Sequence, residues 1–154
     1  MITEIEGIKV GHWTDSSAQT GCTVILFPQE TVASGEIRGG APATRDFALL
    51  DPSRLVDQIN AVVLSGGSAF GLSACSGVME FLEEAKIGFS TSAGKVPIVV
   101  GLSLFDLGSG SSTVRPGHQE GKEAASVAST IAPLGRVGAG AGATVSKWLS
   151  LIHI

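Results

Sequence analysis

Glycine is the feature of this sequence that most restricts how the chain can fold. The chain has 21 glycines among 154 residues, about twice the usual share of ~7%. They follow no three-residue period, which excludes a collagen-like helix. Because glycine has no side chain, clusters of it predict tight turns and places where two backbones, or a backbone and a ligand, lie in close contact. Three clusters stand out: Gly39-Gly40, Gly66-Gly67-Gly71 and Gly138-Gly140-Gly142.

Composition indicates an ordered domain with no attraction to nucleic acid or anionic membranes. Hydrophobic residues make up 44% and charged residues 16% of the chain, so it can bury enough apolar surface to fold. The net charge of −4 argues against both partners. Residues 1–6 lack a basic segment followed by an apolar run, and no apolar stretch approaches ~20 residues. We therefore expect a cytoplasmic protein, with Cys22 and Cys75 as reduced, buried thiols.

Hydrophobic patterning predicts strands mixed with helices but no strict βαβ alternation. This favours an α+β fold or a layered α/β fold. Strands are predicted at 5–10, 21–28, 31–37, 61–64 and 144–145, with an extended segment at 96–107. Helices are predicted to start at Asp51-Pro52-Ser53, to run along the face of Leu72, Cys75, Met79 and Leu82 until Gly88, and to span 120–131.

The sequence Gly66-Gly67-Ser68-Ala69-Phe70-Gly71 follows a predicted strand and opens a predicted helix. A nucleophile elbow needs this context, but its G-x-S-x-G pattern requires glycine where Phe70 stands. No convincing histidine and acidic partners follow in the chain. The Ser68 hydroxyl as a helix cap is therefore one interpretation, and free N–H groups that hold an anion or a carbonyl oxygen are another.

Other candidate sites have simpler explanations. Residues 138–143 fit the dinucleotide pattern G-x-G-x-x-A, but no clear strand precedes them and no acid follows ~20 residues later. His12, His118 and His153 have no acidic or thiol companions at ligand spacing, so no metal site is predicted. Arg38 and Arg45 could clamp a carboxylate, or could pair with Asp46 and Asp51 nearby.

Several long motifs, in order, resemble the P1 family of peptidases, the group of D-aminopeptidases, β-peptidyl aminopeptidases and nylon-oligomer hydrolases. The resemblance covers residues 2–147, nearly the whole chain. The motifs are Arg38-Gly39-Gly40-Ala41-Pro42-Ala43-Thr44-Arg45, Leu50-Asp51-Pro52, Leu64-Ser65-Gly66-Gly67-Ser68-Ala69-Phe70-Gly71-Leu72, Pro97-Ile98-Val99, Phe105-Asp106-Leu107, Val114-Arg115-Pro116 and Gly138-Ala139-Gly140-Ala141-Gly142-Ala143.

The resemblance implies an αββα sandwich related to the ornithine acetyltransferase fold, incomplete here at the C-terminus. It implies a precursor that cleaves itself into an N-terminal and a C-terminal chain. The new N-terminal Ser or Thr of the second chain is then the nucleophile, with its own amine as base. No metal or organic cofactor is expected. The resemblance also implies that these pairs of chains assemble into a homo-oligomer. The implied substrate is a small peptide or amide.

This sequence departs from the family pattern at several positions. The nucleophile and the asparagine that would bind the oxyanion are expected downstream of the last motif, so the catalytic residues lie outside this chain. Phe105 stands where peptide-cleaving members carry a tyrosine, and Ala141 where threonine is usual. Ser73 and Ser76 stand where acids are common. Lys147 matches a position that lines the site in similar hydrolases.

The leading hypothesis is therefore the N-terminal part, residues 1–148, of a self-processing aminopeptidase or amidohydrolase, followed by a foreign tail at 149–154. The alternative is a non-catalytic binding or assembly module of the same fold, and acyl transfer has only the support of a shared fold. The missing half also predicts exposed apolar surface and a tendency to aggregate. The expected substrate- or oxyanion-lining residues are Gly66, Gly67, Ser68, Phe105, Gly140 and Lys147.

Overall fold

The computed structural model describes residues 1–145. Over these residues the strands are β1 (Lys9–Asp15), β2 (Thr20–Leu26), β3 (Thr44–Arg45), β4 (Ala61–Ser65), β5 (Phe89–Thr91), β6 (Gly94–Val96) and β7 (Val99–Ser103). The α-helices are α1 (Ala74–Glu84) and α2 (His118–Ser126). Short 3-10 helices lie at Ile2–Glu4, Phe47–Leu50, Ser68–Ser73 and Gly138–Gly140.

Five of these strands form one mixed sheet in the order β1-β2-β4-β7-β3. The pairs β1–β2, β2–β4 and β3–β7 are antiparallel, whereas β4 and β7 are parallel. Parallel strands require a long crossover, and here α1 and the β5–β6 hairpin supply it. The class is therefore α+β, which is one of the two classes that the hydrophobic patterning predicts.

The main core lies between one face of this sheet and the two helices. Val24, Val63 and Val99, one from each central strand, are fully buried there. Cys75 and Leu82 of α1 pack against them, with Met79 partly buried beside the core, so these three members of the predicted face are confirmed. Leu72, the fourth, lies in the 3-10 helix before α1. The helix nevertheless ends before Gly88, because Lys86 takes a left-handed φ of 57° and the Ile87 N–H donates to the Leu82 carbonyl.

The two helices contact each other backbone to backbone. An ideal Cβ on Gly77 of α1 would lie 1.8 Å from the His118 carbonyl oxygen, and one on Gly121 of α2 would lie 2.0 Å from the Ala74 carbonyl oxygen. The sequence predicts a helix over 120–131, whereas helix α2 begins at His118 and ends at Ser126. The Ser129 N–H then donates to the Val10 carbonyl oxygen of β1.

Strand β1 runs further than the sequence predicts. Residues 5–10 were the expected strand and 11–15 the expected turn, but 9–15 pair with β2. Gly11 sits inside this strand because a Cβ there would lie 2.0 Å from the Ala124 carbonyl oxygen of α2. Glycine at position 11 thus allows helix α2 to pack closely on the strand, and it does not form a turn.

Three other predicted elements are wrong. Residues 31–37 form only an isolated bridge between Val32 and Gln58, because β2 is already paired with β1 and β4 on its two sides. Asp51 starts no α-helix, since its carboxylate accepts the backbone N–H and the hydroxyl of Ser53 in a local turn. Residues 144–145 form no strand.

Candidate functional site

The turn at residues 66–68 connects the end of β4 to the helix that leads into α1. Gly67 and Ser68 both have positive φ, of 79° and 57°, so the chain reverses sharply here. A Cβ on Gly66 would lie 2.0 Å from the Asp106 Oδ2, and one on Gly71 would lie 1.8 Å from the Gly66 carbonyl oxygen. The glycines of this motif are therefore needed for close contact, as their cluster predicts.

All three N–H groups of the 66–68 turn already have acceptors within the chain. Gly66 donates to the Gly21 carbonyl at 2.9 Å, and Ser68 to the Leu104 carbonyl at 3.0 Å. Gly67 donates to Asp106 Oδ1 at 2.6 Å. In this arrangement the turn offers no free backbone donor to a carbonyl oxygen. The Ser68 hydroxyl caps no helix end either, which contradicts one interpretation of the sequence.

Asp106 is the buried acid that organises this turn. Its side chain is 3% exposed. Besides the Gly67 N–H it accepts the Thr20 hydroxyl at 2.7 Å from Oδ2. Because a buried carboxylate must have its hydrogen-bonding needs met, the two contacts fix the position of the turn against β2. Sequence reasoning did not assign Asp106 a role, although it is the one charged residue in the apolar segment 96–107.

The glycine-rich segment at 138–142 packs against the side chain of Asp106. A Cβ on Gly142 would lie 2.9 Å from Asp106 Oδ2. The N–H of Gly138 donates to the Thr14 hydroxyl at 2.7 Å, and that of Ala139 to the Thr23 hydroxyl at 3.2 Å. The segment forms a 3-10 helix rather than the turn between a strand and a helix that a dinucleotide site requires.

Apolar and cationic side chains border the turn. Phe70 and Phe105 are 61% and 55% exposed, and Phe105 stands between Leu104 and Asp106, which both accept N–H groups of the turn. The guanidinium of Arg115 lies 4.0 Å from the centroid of the Phe70 ring. Of the six lining residues that the sequence predicts, Gly66, Gly67, Ser68 and Phe105 therefore lie together.

The other two lining residues do not join this group. A Cβ on Gly140 would be nearest to the Gly135 carbonyl oxygen, at 2.7 Å. Gly140 therefore packs against its own loop and not against the 66–68 turn. Lys147 lies outside the described residues, as does the predicted tail at 149–154.

The two arginines of the 38–45 loop do not form a clamp. Arg38 pairs with Glu36 at 2.9 Å on the surface. Arg45 donates to the Ser76 hydroxyl at 2.8 Å and lies 3.7 Å from Asp46, so its guanidinium faces α1. The expected pairing of Arg45 with Asp46 is thus present, and Asp51 has Ser53 as its partner instead.

Histidine and cysteine offer no reactive cluster in the part of the chain that is described. No group of three or more potential metal-ligating side chains lies together within residues 1–145. The thiols of Cys22 and Cys75 are free and buried, as predicted, and burial raises their pKa to about 12 and about 11. Both thiols are therefore protonated and unreactive at neutral pH. Over the same residues, no helix combines the length and apolarity that crossing a bilayer requires.

The burial of His12 predicts that the stability of the fold depends on pH. Its Nδ1 lies 2.9 Å from the Thr23 hydroxyl, while its buried Nε2 has no hydrogen bond among the described residues. Burial lowers the pKa of His12 below its ordinary 6.5, and the Pro133 backbone offsets part of this effect. As the pH falls through 6.5, the unfolded chain binds a proton that the folded chain resists, so stability present above that pH is lost below it.

We therefore expect His12→Gln to weaken the dependence of stability on pH. At pH 8 the wild-type chain should melt at a higher temperature than the variant, because it keeps the contact with Thr23. At pH 5.5 the difference in melting temperature should narrow, since only the wild type has lost the contribution of a neutral histidine. Thermal unfolding followed by circular dichroism at both pH values measures it. An unchanged difference would contradict the assignment.

Comparison with known proteins gives the family of this chain. The model of peptidase family S58 matches residues 1–150, so the chain belongs to that family. This confirms the resemblance to the P1 family peptidases. The match includes the 66–68 turn and the glycine-rich segment at 138–142.

Curated relatives carry names of the same kind. An uncharacterized aminopeptidase of Mycobacterium tuberculosis (strain H37Rv) is 43% identical over 147 residues, which cover 90% of this chain and 43% of the relative. A 6-aminohexanoate-oligomer endohydrolase of a Kocuria species (strain KY2) is 30% identical over 145 residues, covering 94% of this chain and 38% of the relative. The chain thus spans less than half the length of these relatives.

Solved structures share the fold. A protein of Pyrococcus horikoshii OT3 has a TM-score of 0.65 at 24% identity and matches 93% of this chain and 44% of its own. A beta-aminopeptidase of a Burkholderia species has a TM-score of 0.63 at 20% identity and matches 92% and 42%. Both similarities show that the sheet and helices are arranged as in part of these two larger chains.

Proposed function

We propose that this chain is the N-terminal, substrate-binding part of a self-processing aminopeptidase or amidohydrolase that cleaves small peptides or amides. The observation that carries the proposal is the match of residues 1–150 to peptidase family S58, together with relatives more than twice as long. The nucleophilic Ser or Thr belongs, on this proposal, to a second segment. On this proposal the N-terminal unit comprises residues 1–148 and is followed by a tail at 149–154, of which the family match reaches residues 149 and 150.

An open sheet face supports a missing second layer. Val24, Val63 and Val99 face the helices. On the opposite face, Leu50 and Ile59 of the segment before β4 pack around Val100, with Val62 and Leu102 partly buried beside them. Leu64, on the central strand β4 of that face, is 37% exposed. Apolar side chains in the middle of a sheet are normally buried, so we infer that a second sheet covers Leu64 and completes an αββα sandwich. The whole protein would then be an oligomer built from pairs of N-terminal and C-terminal chains.

Substrate binding in this proposal takes place beside the 66–68 turn. The exposed rings of Phe70 and Phe105 supply an apolar wall, and Gly66 and Gly67 let Asp106 and Arg115 pack closely against the turn. The N–H groups of the turn have acceptors already. The donors for an oxyanion are therefore assigned to the second segment and to Lys147, while the turn shapes the wall of the site.

The test compares the 154-residue chain with a longer product that includes the coding sequence downstream. The longer product should split into two chains, seen by mass spectrometry, with Ser or Thr at the new N-terminus, and should hydrolyse an aminoacyl p-nitroanilide. The 154-residue chain alone should have no such activity. Hydrolysis by that chain alone would contradict the mechanism. A longer product that neither splits nor hydrolyses would favour a non-catalytic binding module.

A further inference from the structure

We propose that Arg115 binds a free carboxylate of the substrate beside the 66–68 turn, so that the site prefers short peptides with an uncapped C-terminus. The inference rests on the proposed function for the identity of the ligand. It rests on the geometry of Arg115 and its neighbours for the site itself.

The position of Arg115 is fixed from two sides. Its guanidinium lies 4.0 Å from the centroid of the Phe70 ring, a distance at which the cation is attracted to the face of the ring. Its aliphatic stem passes close to the turn, since a Cβ on Gly67 would lie 3.0 Å from the Arg115 Cβ and 3.2 Å from its Cγ. The next residue, Pro116, is fully buried and anchors the backbone. The cation is thus held beside the turn rather than free in solvent.

Nothing within residues 1–145 neutralises this cation. Arg115 is half-buried, yet no carboxylate lies within 4.0 Å of its guanidinium there, in contrast to Arg38 and Arg45. The acid next to the turn, Asp106, is occupied by the Gly67 N–H and the Thr20 hydroxyl. The guanidinium therefore keeps a charge and planar donors that no described acid uses.

A carboxylate is the ligand that this arrangement fits. A guanidinium donates two parallel N–H bonds to the two oxygens of a carboxylate, and such charge-assisted bonds are stronger than neutral ones. The exposed rings of Phe70 and Phe105 border the same turn and provide apolar contact for the side chains of a short peptide. A C-terminal amide would lose the charge and one acceptor. The preference for a free carboxylate should then be about tenfold in affinity.

Isothermal titration of the 154-residue chain with alanyl-alanine and with alanyl-alanine amide tests this directly. The wild-type chain should bind the free dipeptide about tenfold more tightly than the amide. Arg115→Gln should remove the preference. Arg115→Lys should keep part of it, because the charge remains but the planar fork is lost. Arg54→Gln, which removes an exposed arginine on the segment before β4, should retain the full preference.

The outcomes separate this inference from the proposed function. Equal affinities for the two dipeptides, no measurable binding of either, or a preference that survives in Arg115→Gln would overturn the role of Arg115. Circular dichroism of each variant establishes that its fold is kept. If Arg115→Gln unfolds, the reduced preference of Arg115→Lys for the free dipeptide tests the role of Arg115 instead. A carboxylate preference that depends on Arg115, in a protein whose longer product hydrolyses nothing, would overturn the proposed function alone.

Discussion

Gly77→Ala is expected to destabilise the protein by about 4 kcal/mol or more, which is a large part of the stability of a domain of this size. The added Cβ would lie 1.8 Å from the His118 carbonyl oxygen and 2.7 Å from the Lys122 N. Both are backbone atoms of α2, so no side chain can move aside. Helix α2 would have to shift away from α1 and open the core around Val78. The gain in helix propensity on replacing glycine by alanine, about 1 kcal/mol, is much smaller.

Urea unfolding followed by circular dichroism measures this loss, and Gly108→Ala is the matched control. Gly108 has no heavy atom within 4 Å of an ideal Cβ and no positive φ. Its replacement should change the free energy of unfolding by less than about 0.5 kcal/mol. Equal unfolding midpoints for the two variants would mean that the helices are not in backbone contact at Gly77.

Asp106→Ala is the second large effect, with an expected loss of about 3 kcal/mol in the free energy of unfolding. The substitution leaves the Gly67 N–H and the Thr20 hydroxyl without an acceptor in a buried place. It also leaves a cavity below the turn, against Gly66 and Gly142. Asp106→Asn fills the same volume and keeps one oxygen acceptor, so we expect it to cost less than the alanine variant.

The turn itself provides a local measurement. In the wild-type chain the Gly67 N–H donates to the Asp106 Oδ1 at 2.6 Å, and hydrogen exchange of that amide should be slow. In Asp106→Ala its exchange should accelerate well beyond that of the Val63 amide in the middle of β4. Asp57→Asn removes an exposed acid elsewhere and should change neither measurement. Slow exchange at Gly67 in Asp106→Ala would contradict the anchoring role.

The elements that could be predicted from the sequence are those whose signal is local. Strands β2 and β4 appear as continuous apolar runs ended by proline or glycine, and α1 as an apolar stripe of Cys75, Met79 and Leu82. Each pattern depends only on the period of one element and on what it buries. The family resemblance was predictable for the same reason, because its motifs are contiguous stretches of sequence.

The elements that were predicted wrongly depend on neighbours far along the chain. Residues 31–37 have the composition of a strand, but both edges of β2 are occupied by β1 and β4. Glycine usually indicates a turn, but Gly11 lies in a strand, where its missing side chain allows α2 to pack on it. Which edge is free and which backbone lies opposite are properties of the assembled sheet, so no local pattern contains them.

The sequence by itself determined the family and a mixture of strands and helices, and it predicted the loops that border the proposed site, because glycine clusters and apolar runs carry that information locally. Only the tertiary structure decided how those loops are used. It brings Asp106 from 86 residues away to Thr20, uses all three N–H groups of the 66–68 turn, and sets Arg115 over Phe70 without an acidic partner among the described residues. Hydrogen bonds and charges act through space, so their partners become known only when distant segments meet.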